Sequence, residues 1–390
     1  MKFGLNLAKQ KAIVNQEPEK SLLGMDRSEL VEVMHGMSEP VYRATQIADA
    51  VYRERLTSVD HISTIPLQLR SKLTTAGFAV GLPEIEKKFE SQDGTVRYLL
   101  ACADGETVES VWMPDGDGGE AGDGTEAGEE LLETSRRSWR RATICVSSQV
   151  GCAVDCQFCL TALLGIKRNL TAGEIAGQVC AVMRDQQVSL PQDRLNLVFM
   201  GMGEPFLNYE NFMKAVRLLV QEVRIPESRM TVSTAGIVPR IIDFGREPIR
   251  PKLAISLNAS NDGLRTELMP INRKWNLEKL TGAAREFPLR NREWVTFEYV
   301  LLNGVNDSIE NAKEIVGLLR GIRVKVNLIA LNPGPGIPFS TPSQQKVLAF
   351  QSTLIEAGIP TYIRRPRGRD IYAACGQLKR TVEIATAPER

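Results

Sequence analysis

Histidine is nearly absent from this chain: His35 and His61 are the only two in 390 residues. That excludes most histidine-ligated zinc hydrolases and most Ser-His-Asp arrangements, which need an imidazole as ligand or base. No uncharged apolar run approaches the ~20 residues that span a bilayer. Met1 to Gln16 also lacks the cationic start, apolar stretch and small-residue cleavage site of a signal peptide. A cytoplasmic protein with no membrane partner is expected. An excess of either charge is missing too, since 48 Lys+Arg stand against 47 Asp+Glu, a net charge of +1. Any contact with a polyanion must therefore come from local patches. With 43% hydrophobic residues the chain is globular, and its length suits either two or three domains or one barrel with accessory parts.

Cysteine is present in an informative number: Cys102, Cys145, Cys152, Cys156, Cys159, Cys180 and Cys375, seven in all. An odd count in a cytoplasmic chain of this size points to metal binding or thiol chemistry rather than a disulfide framework.

Apolar residues recur at helical spacing from Ser21 to Leu73 (Leu30, Val31, Val33, Met34, then Ile47, Ala50, Val51), and a strand-like pattern starts near Thr95. Between Asp115 and Glu133 the chain is almost wholly Gly, Asp, Glu, Ala and Thr, followed by Arg136, Arg137, Arg140 and Arg141. This reads as a flexible acidic insertion, or as an arm competing with RNA phosphates for the arginines. Six strand-like runs then alternate with helical patterns: 142–148, 195–200, 230–233, 253–257, 295–301 and 324–329. The predicted fold class is α/β, a partial (βα)6 TIM-like barrel whose chemistry sits beyond the strands' C-terminal ends. The predicted divisions are a helical accessory unit that binds RNA (1–80), a β-rich connector (81–140) with the insertion at 115–134, a barrel core (141–365) and a C-terminal segment (366–390).

Cys152, Cys156 and Cys159 form C-x3-C-x2-C in the loop after the first barrel strand. Three thiolates leave one iron of a four-iron cluster, or one position of a four-coordinate zinc, for another ligand. Structural zinc sites usually use paired C-x2-C, and no second pair exists here. The triplet, with Phe158 before its last cysteine, resembles the signature of radical S-adenosylmethionine (SAM) enzymes. The resemblance implies a single [4Fe-4S] cluster whose fourth iron is chelated by the amino and carboxylate groups of SAM. In the Gly201-Met202-Gly203-Glu204-Pro205 stretch, the glycines, Gly203 among them, would let backbone approach the cofactor, and Glu204 would accept from its ammonium. Ser233, Ser256, Leu257, Asn258 and Asn332 follow at successive strand ends as further candidate SAM contacts.

Three longer segments narrow the resemblance. Arg141 to Cys152, Met200 to Pro205 and Asp370 to Leu378 are similar to the RlmN and Cfr family of radical SAM RNA adenosine methyltransferases, and the RlmN branch fits better. Asn258 stands where that family leads one to expect histidine. The resemblance implies transfer of a methyl from SAM to carbon 2 of an adenosine in 23S rRNA, and in tRNA next to the anticodon, with carbon 8 as the Cfr-type alternative. It also implies roles. Cys375 would carry the methyl, Cys145 would close a transient disulfide on it to release product, and Glu109 would accept the adenine proton with a pKa raised by partial burial. A low-potential flavodoxin or ferredoxin system would supply electrons, and a monomer is expected. Candidate RNA contacts are Arg364, Arg365, Arg367 and Arg369, then Lys167 and Arg168, then Arg273, Lys274 and Trp275 around one barrel mouth.

Overall fold

In a computed structural model, residues 20–114 and 141–378 are described. The expected acidic insertion at 115–134, Arg136, Arg137 and Arg140 lie outside them, as do Met1 to Gln16 and the end of the C-terminal segment.

The helical unit begins at β1 (Lys20–Ser21), which pairs in parallel with β2 (Phe78–Ala79) and so closes its two ends together. Helix α1 (Arg27–Gly36) starts where Asp26 caps the Glu29 N–H and the Glu29 carboxylate accepts from the Asp26 N–H, a reciprocal capping box. Its buried face, Leu30 and Met34, packs with Ala44, Ile47 and Ala48 of α2 (Tyr42–Ala48) and with Leu69 and Leu73 of α3 (Leu67–Thr75).

Beyond this unit one ten-stranded sheet runs through the molecule. Strands β3 (Glu84–Glu90), β4 (Val96–Ala101) and β5 (Thr107–Pro114) form an antiparallel meander, and β5 pairs antiparallel with β6 (Arg141–Cys145). A short ribbon, β7 (Gln149–Gly151) with β8 (Ile166–Asn169), brackets the cysteine loop. The sheet continues in parallel through β9 (Arg194–Phe199), β10 (Met230–Thr234), β11 (Lys252–Ser256), β12 (Val295–Leu301), β13 (Val324–Ala330) and β14 (Thr361–Arg364). Crossover helices are α4 (Ala172–Asp185), α5 (Tyr209–Gln221), α6 (Val238–Gly245), α7 (Asp262–Leu268), α8 (Leu277–Glu286), α9 (Ile309–Leu318) and α10 (Gln344–Glu356).

Two features depart from the sequence pattern. There are seven parallel strands, not six. Four-residue β14 lies beside Pro360 in an arginine-rich run, too short and too polar to register as a strand. The β-rich connector is also no separate layer, because its three strands extend the barrel sheet.

Alternation separates the two faces of the parallel strands. Ile144, Val232, Ile255, Phe297 and Leu328 are buried in the hydrophobic core. Thr143, Asn196, Thr231, Thr296 and Asn327 point the other way and line an interior cavity.

Candidate active site

Cys152, Cys156 and Cys159 sit partly buried on the loop between β7 and β8. A small apolar cluster of Val154, Phe158, Ala235, Leu268, Met269, Leu302 and Leu331 packs against Cys152 and Cys156, which limits water around the sulfurs. Among the described residues, the one group of three potential metal ligands within 4.8 Å of one another is Cys102, Asp104 and Glu174. Three thiolates on one loop suit a cluster that leaves one iron open for another ligand. In the Cys102 group, Arg168 donates to both Asp104 (2.6 Å) and Glu174 (2.8 Å), so a cation already sits among those carboxylates.

The residues after Cys159 receive the distant C-terminal segment. Leu160 N–H donates to the Gly376 carbonyl (2.8 Å), Thr161 Oγ1 to Leu378 O (2.7 Å), and Gln377 Nε2 to Pro333 O (2.9 Å). Upstream, Gly368 N–H donates to Asp93 (2.9 Å) and Arg367 to Pro114 O (3.0 Å), so this segment reaches the opposite side of the sheet. Cys375 is thereby placed beside the cluster loop. It shares one cavity, about 200 Å³ in volume, with Cys145, Cys159, Gly201 and Asn332. All seven cysteines are free thiols, so the structure holds no disulfide between Cys145 and Cys375. Burial raises the Cys145 thiol above the usual range, aided by the charge of Cys375; Cys375 is exposed, and desolvation by the surrounding protein together with the charge of Glu298 raises its thiol as well. Each must lose a proton to act as a nucleophile.

Glu204 is 4% exposed and caps the turn Pro205–Leu207. Its carboxylate accepts from the Phe206 N–H (2.9 Å) and the Ala235 N–H (2.6 Å). Burial outweighs these bonds and pushes its pKa up to about 7. Asn332 is also buried and lines the cavity, and its Oδ1 has no partner. A buried orphan acceptor costs about 1–3 kcal/mol, so the Asn332 oxygen fits a ligand with a hydrogen-bond donor. The Ser233 and Ser256 hydroxyls stand 3.3 Å apart at neighbouring strand ends.

Three candidate cofactor residues have defined surroundings. A side chain on Gly201 would strike Ser147 and Val146, and one on Gly203 (φ +98°) would strike Gln149, so these glycines let the loop pack closely on residues 146–149. Leu257 has its N–H on Glu298 O and its carbonyl on Arg265, with its side chain in the core. Asn258 adopts a left-handed φ of 57°, which suits asparagine. Its amide is engaged by the Val300 N–H (2.8 Å) and Met269 Sδ (3.3 Å), which accounts for an amide at this position.

Glu109 is fully buried rather than partly so, ion-paired with the equally buried Arg97, and absent from the cavity lining. Lys167 is exposed and pairs with Glu106, and half-buried Arg168 pairs with Asp104 and Glu174.

Sequence reasoning missed Arg265. This guanidinium is 0% exposed and donates to Leu257 O (3.0 Å), Ser256 O (3.0 Å), Ala235 O (2.8 Å) and Asn272 Oδ1 (3.0 Å). It ties the ends of β10 and β11 together and, through the Ala235 peptide, steadies Glu204. Burial lowers its pKa to about 10, against the opposing pull of Cys156 and Asp262. The charge thus faces the cysteine loop with no carboxylate ion pair among the described residues. Arg265→Met is expected to cost about 2–4 kcal/mol in urea unfolding by orphaning these acceptors; a loss under about 0.5 kcal/mol would contradict that role. Glu298 was missed as well: it is 6% exposed, lines the cavity and accepts from Asn327 (2.9 Å). The available signal was polar residues at every second position in Thr296-Phe297-Glu298 and Lys325-Val326-Asn327.

The comparisons agree with this geometry. The Radical SAM superfamily model matches residues 146–316, and the model for the ribosomal RNA large subunit methyltransferase N-terminal domain matches residues 20–77. A probable dual-specificity RNA methyltransferase RlmN of Koribacter versatilis is 66% identical, covering 90% of this chain and 99% of that one. The dual-specificity RNA methyltransferase RlmN of Syntrophobacter fumaroxidans is 44% identical, covering 90% of this chain and 95% of its own. The crystal structure of a radical SAM methyltransferase from Sphaerobacter thermophilus superposes with a TM-score of 0.81 at 40% identity, covering 92% of this chain and 99% of that one.

Proposed function

Since this chain belongs to the RlmN family of radical SAM RNA methyltransferases, we propose that it methylates carbon 2 of an adenosine, in 23S rRNA and in tRNA next to the anticodon, by way of a methyl carried on Cys375. The family uses a [4Fe-4S] cluster and SAM; Cys152, Cys156 and Cys159 would hold the first, and Glu204, Ser233, Ser256 and Asn332 would contact the second. When bound, they supply a methyl group and a hydrogen-abstracting radical. The observation that carries the reading is the common cavity of Cys145, Cys159 and Cys375.

Carbon 2 of adenine is electron-poor, as is the methyl of a sulfonium, so direct polar transfer would pair two electrophiles. A protein sulfur resolves this. The Cys375 thiol loses its proton and becomes a methyl thioether; once one C–H bond of that methyl has been broken homolytically its carbon would bond to adenine carbon 2, with one electron passing back to the redox centre and the carbon-2 proton to a base. For release, the Cys145 thiolate attacks the Cys375 sulfur. An S–S bond forms, the S–C bond breaks, and the carbon leaves with the electron pair and takes a proton. The two cysteines are oxidised to a disulfide, which an external thiol reductant resets. The proton on adenine needs an acceptor. Glu109 would require its Arg97 pair to open, whereas Glu298 already faces the cavity. Glu109→Gln and Glu298→Gln distinguish them, because only the acceptor's loss should leave methyl-Cys375 formation intact while halting release of methylated RNA. Electrons would come from a low-potential flavodoxin or ferredoxin system. The cytoplasm is the proposed compartment and the monomer the proposed state.

The test is mass spectrometry of nucleosides from RNA incubated anaerobically with the reconstituted enzyme, SAM and reductant. 2-Methyladenosine is the expected product; 8-methyladenosine would move the assignment to the Cfr-type reaction, and unmodified RNA would defeat it.

Glu204 sets a pH dependence. Its raised pKa means the protonated acid is favoured in the folded chain, so the strain of a buried carboxylate is absent below about pH 4.5 and grows as pH rises to about 7. Hydrogen bonds from the amino N–H groups of SAM would offset that strain only when Glu204 is ionised. SAM affinity is therefore expected to rise through pH 6–7 and level off above, and Glu204→Gln to flatten the profile while weakening binding roughly tenfold at pH 8. Calorimetric titration reads this directly; an unchanged profile in the variant would remove Glu204 from the contact.

A further inference from the structure

The segment that carries Cys375 is fastened to the turn between β3 and β4. In that turn the Asp93 carboxylate is divided between two tasks. Its Oδ1 accepts from the Thr95 N–H (2.9 Å) and fixes the turn itself, while Oδ2 accepts from the Gly368 N–H (2.9 Å) and faces the Arg367 guanidinium at 3.4 Å. Arg367 also donates to the carbonyls of Asp93 (3.2 Å) and Pro114 (3.0 Å). A second arm runs from Asp370, whose carboxylate accepts from the Ser91 hydroxyl (2.6 Å) and the Gln92 N–H (3.3 Å). Gly368 (φ +59°) lies so close to Thr95 and Ala373 that a side chain there would strike both, and the Ala373 N–H donates back to the Gly368 carbonyl (2.8 Å). Residues 367–373 are therefore a folded turn held at one side.

The other side is held where Gly376, Gln377 and Leu378 bond to Leu160, Pro333 and Thr161. Cys375 stands exposed between the two attachments. Cys145 belongs to the same frame. It ends β6 opposite Val111 of β5, its carbonyl accepts from the Ser110 hydroxyl (2.7 Å), and β5 pairs in turn with β4, which begins just after the turn that bears Asp93. One antiparallel meander thus holds both thiols, Cys145 through its backbone ladder and Cys375 through Asp93.

We propose that the β3–β4 turn aligns the two cavity thiols, with Asp93 as a positioning residue that raises the effective concentration of Cys375 at Cys145. This rests on the reading of the pair as methyl carrier and resolving thiol, and adds what brings them together. A strand-end cysteine is fixed, so closure of the pair depends on how narrowly the other thiol is confined. Asp93 suits that task because its carboxylate bonds the turn with one oxygen and the segment with the other. It is also exposed. An exposed ion pair adds little to global stability, whereas the same bonds remove much of the freedom of a segment only a few residues long.

The test equilibrates the anaerobically reconstituted enzyme with glutathione redox buffers and measures, by mass spectrometry of alkylated peptides, the fraction with a Cys145–Cys375 bond. Glutathione disulfide takes up the two electrons and two protons of the pair, one S–S bond forms in the protein, and two glutathione thiols are released. The midpoint of the titration gives the effective concentration. Asp93→Ala is expected to lower it by about tenfold, and Asp93→Asn, which keeps an acceptor oxygen but loses the charge facing Arg367, by about threefold. Ser91→Ala, which cuts the Asp370 arm, should also lower it by about threefold. Iron content and SAM affinity should stay at parental values in all three. A merely structural role would lower the melting temperature and leave the thiol pair unmoved. Ser308→Ala, which removes the cap of α9, lowers stability without touching this frame and should leave the effective concentration unchanged. Parental values in both Asp93→Ala and Ser91→Ala would overturn the proposal, as would an equal loss in Ser308→Ala or a parental enzyme that closes no bond between these thiols. Because nucleoside analysis of the parental enzyme reports methylation independently, an enzyme that methylates RNA while these variants leave its thiol pair unmoved would refute the alignment alone.

Discussion

Cys375→Ala enzyme is expected to keep its iron and its affinity for SAM while losing transfer of methyl to RNA by about a thousandfold or more, the scale on which covalent catalysis fails without its nucleophile. No other thiol can take over. Cys145 is the one further cysteine in the cavity that is not assigned to the cluster, and it belongs to β6, so it cannot swing as a turn residue can. Cys102 and Cys180 are buried elsewhere in the core. Cys145→Ala should behave differently: the carbon bond to adenine still forms, but nothing cleaves it, so RNA remains attached to the protein through Cys375. Denaturing gel electrophoresis separates the outcomes, with free RNA for Cys375→Ala and a slower protein–RNA band for Cys145→Ala. Methylated free RNA at parental rates from Cys375→Ala would end the covalent mechanism, whatever the fate of the cluster.

The second large effect concerns the cluster loop. Cys156→Ala is expected to reduce iron after anaerobic reconstitution from about four per chain to near zero, with loss of the brown colour and of SAM cleavage. Cys102→Ala and Cys180→Ala should keep full iron, since those thiols lie outside the loop. Folding should survive the loss of metal. The loop is bracketed by the β7–β8 ribbon and bound to the C-terminal segment, and the barrel core does not depend on it. Cys156→Ala with full iron and undiminished SAM cleavage would show that the ligand set was misassigned.

Much of this site is legible in one dimension because its parts are local. C-x3-C-x2-C places three thiolates on one loop, and Gly201 to Pro205 places Glu204 at the end of one strand; in each case a few residues fix the geometry. Other roles are illegible for a physical reason. Arg265 reads as an ordinary charged residue on a short helix, and only the convergence of Ser256, Leu257 and Ala235 carbonyls shows that its charge is enclosed. Gly203 reads as room for a ligand, and only the fold shows that Gln149 packs where its side chain would be. Glu109 reads as a half-buried base, and Arg97 from the adjacent strand claims it. Each of these depends on a partner brought from a distance, about which local pattern carries no information.

What the sequence alone determined was the reaction class: the thiolates, their spacing, Glu204, the lone Cys375 and the alternation of strand and helix are covalent facts with short-range geometry. What only the tertiary structure decided was which groups share a space. Cys375 reaches Leu160 and the cavity because the C-terminal segment crosses the curled sheet from β14 to the β3–β4 turn. Thr143, Asn196, Thr231, Thr296 and Asn327 of five separate strands converge on one cavity because parallel strands in register turn the same parity inward. Contacts of that kind are set by the closure of the whole sheet, a cooperative property of long-range packing that no short stretch of chain contains.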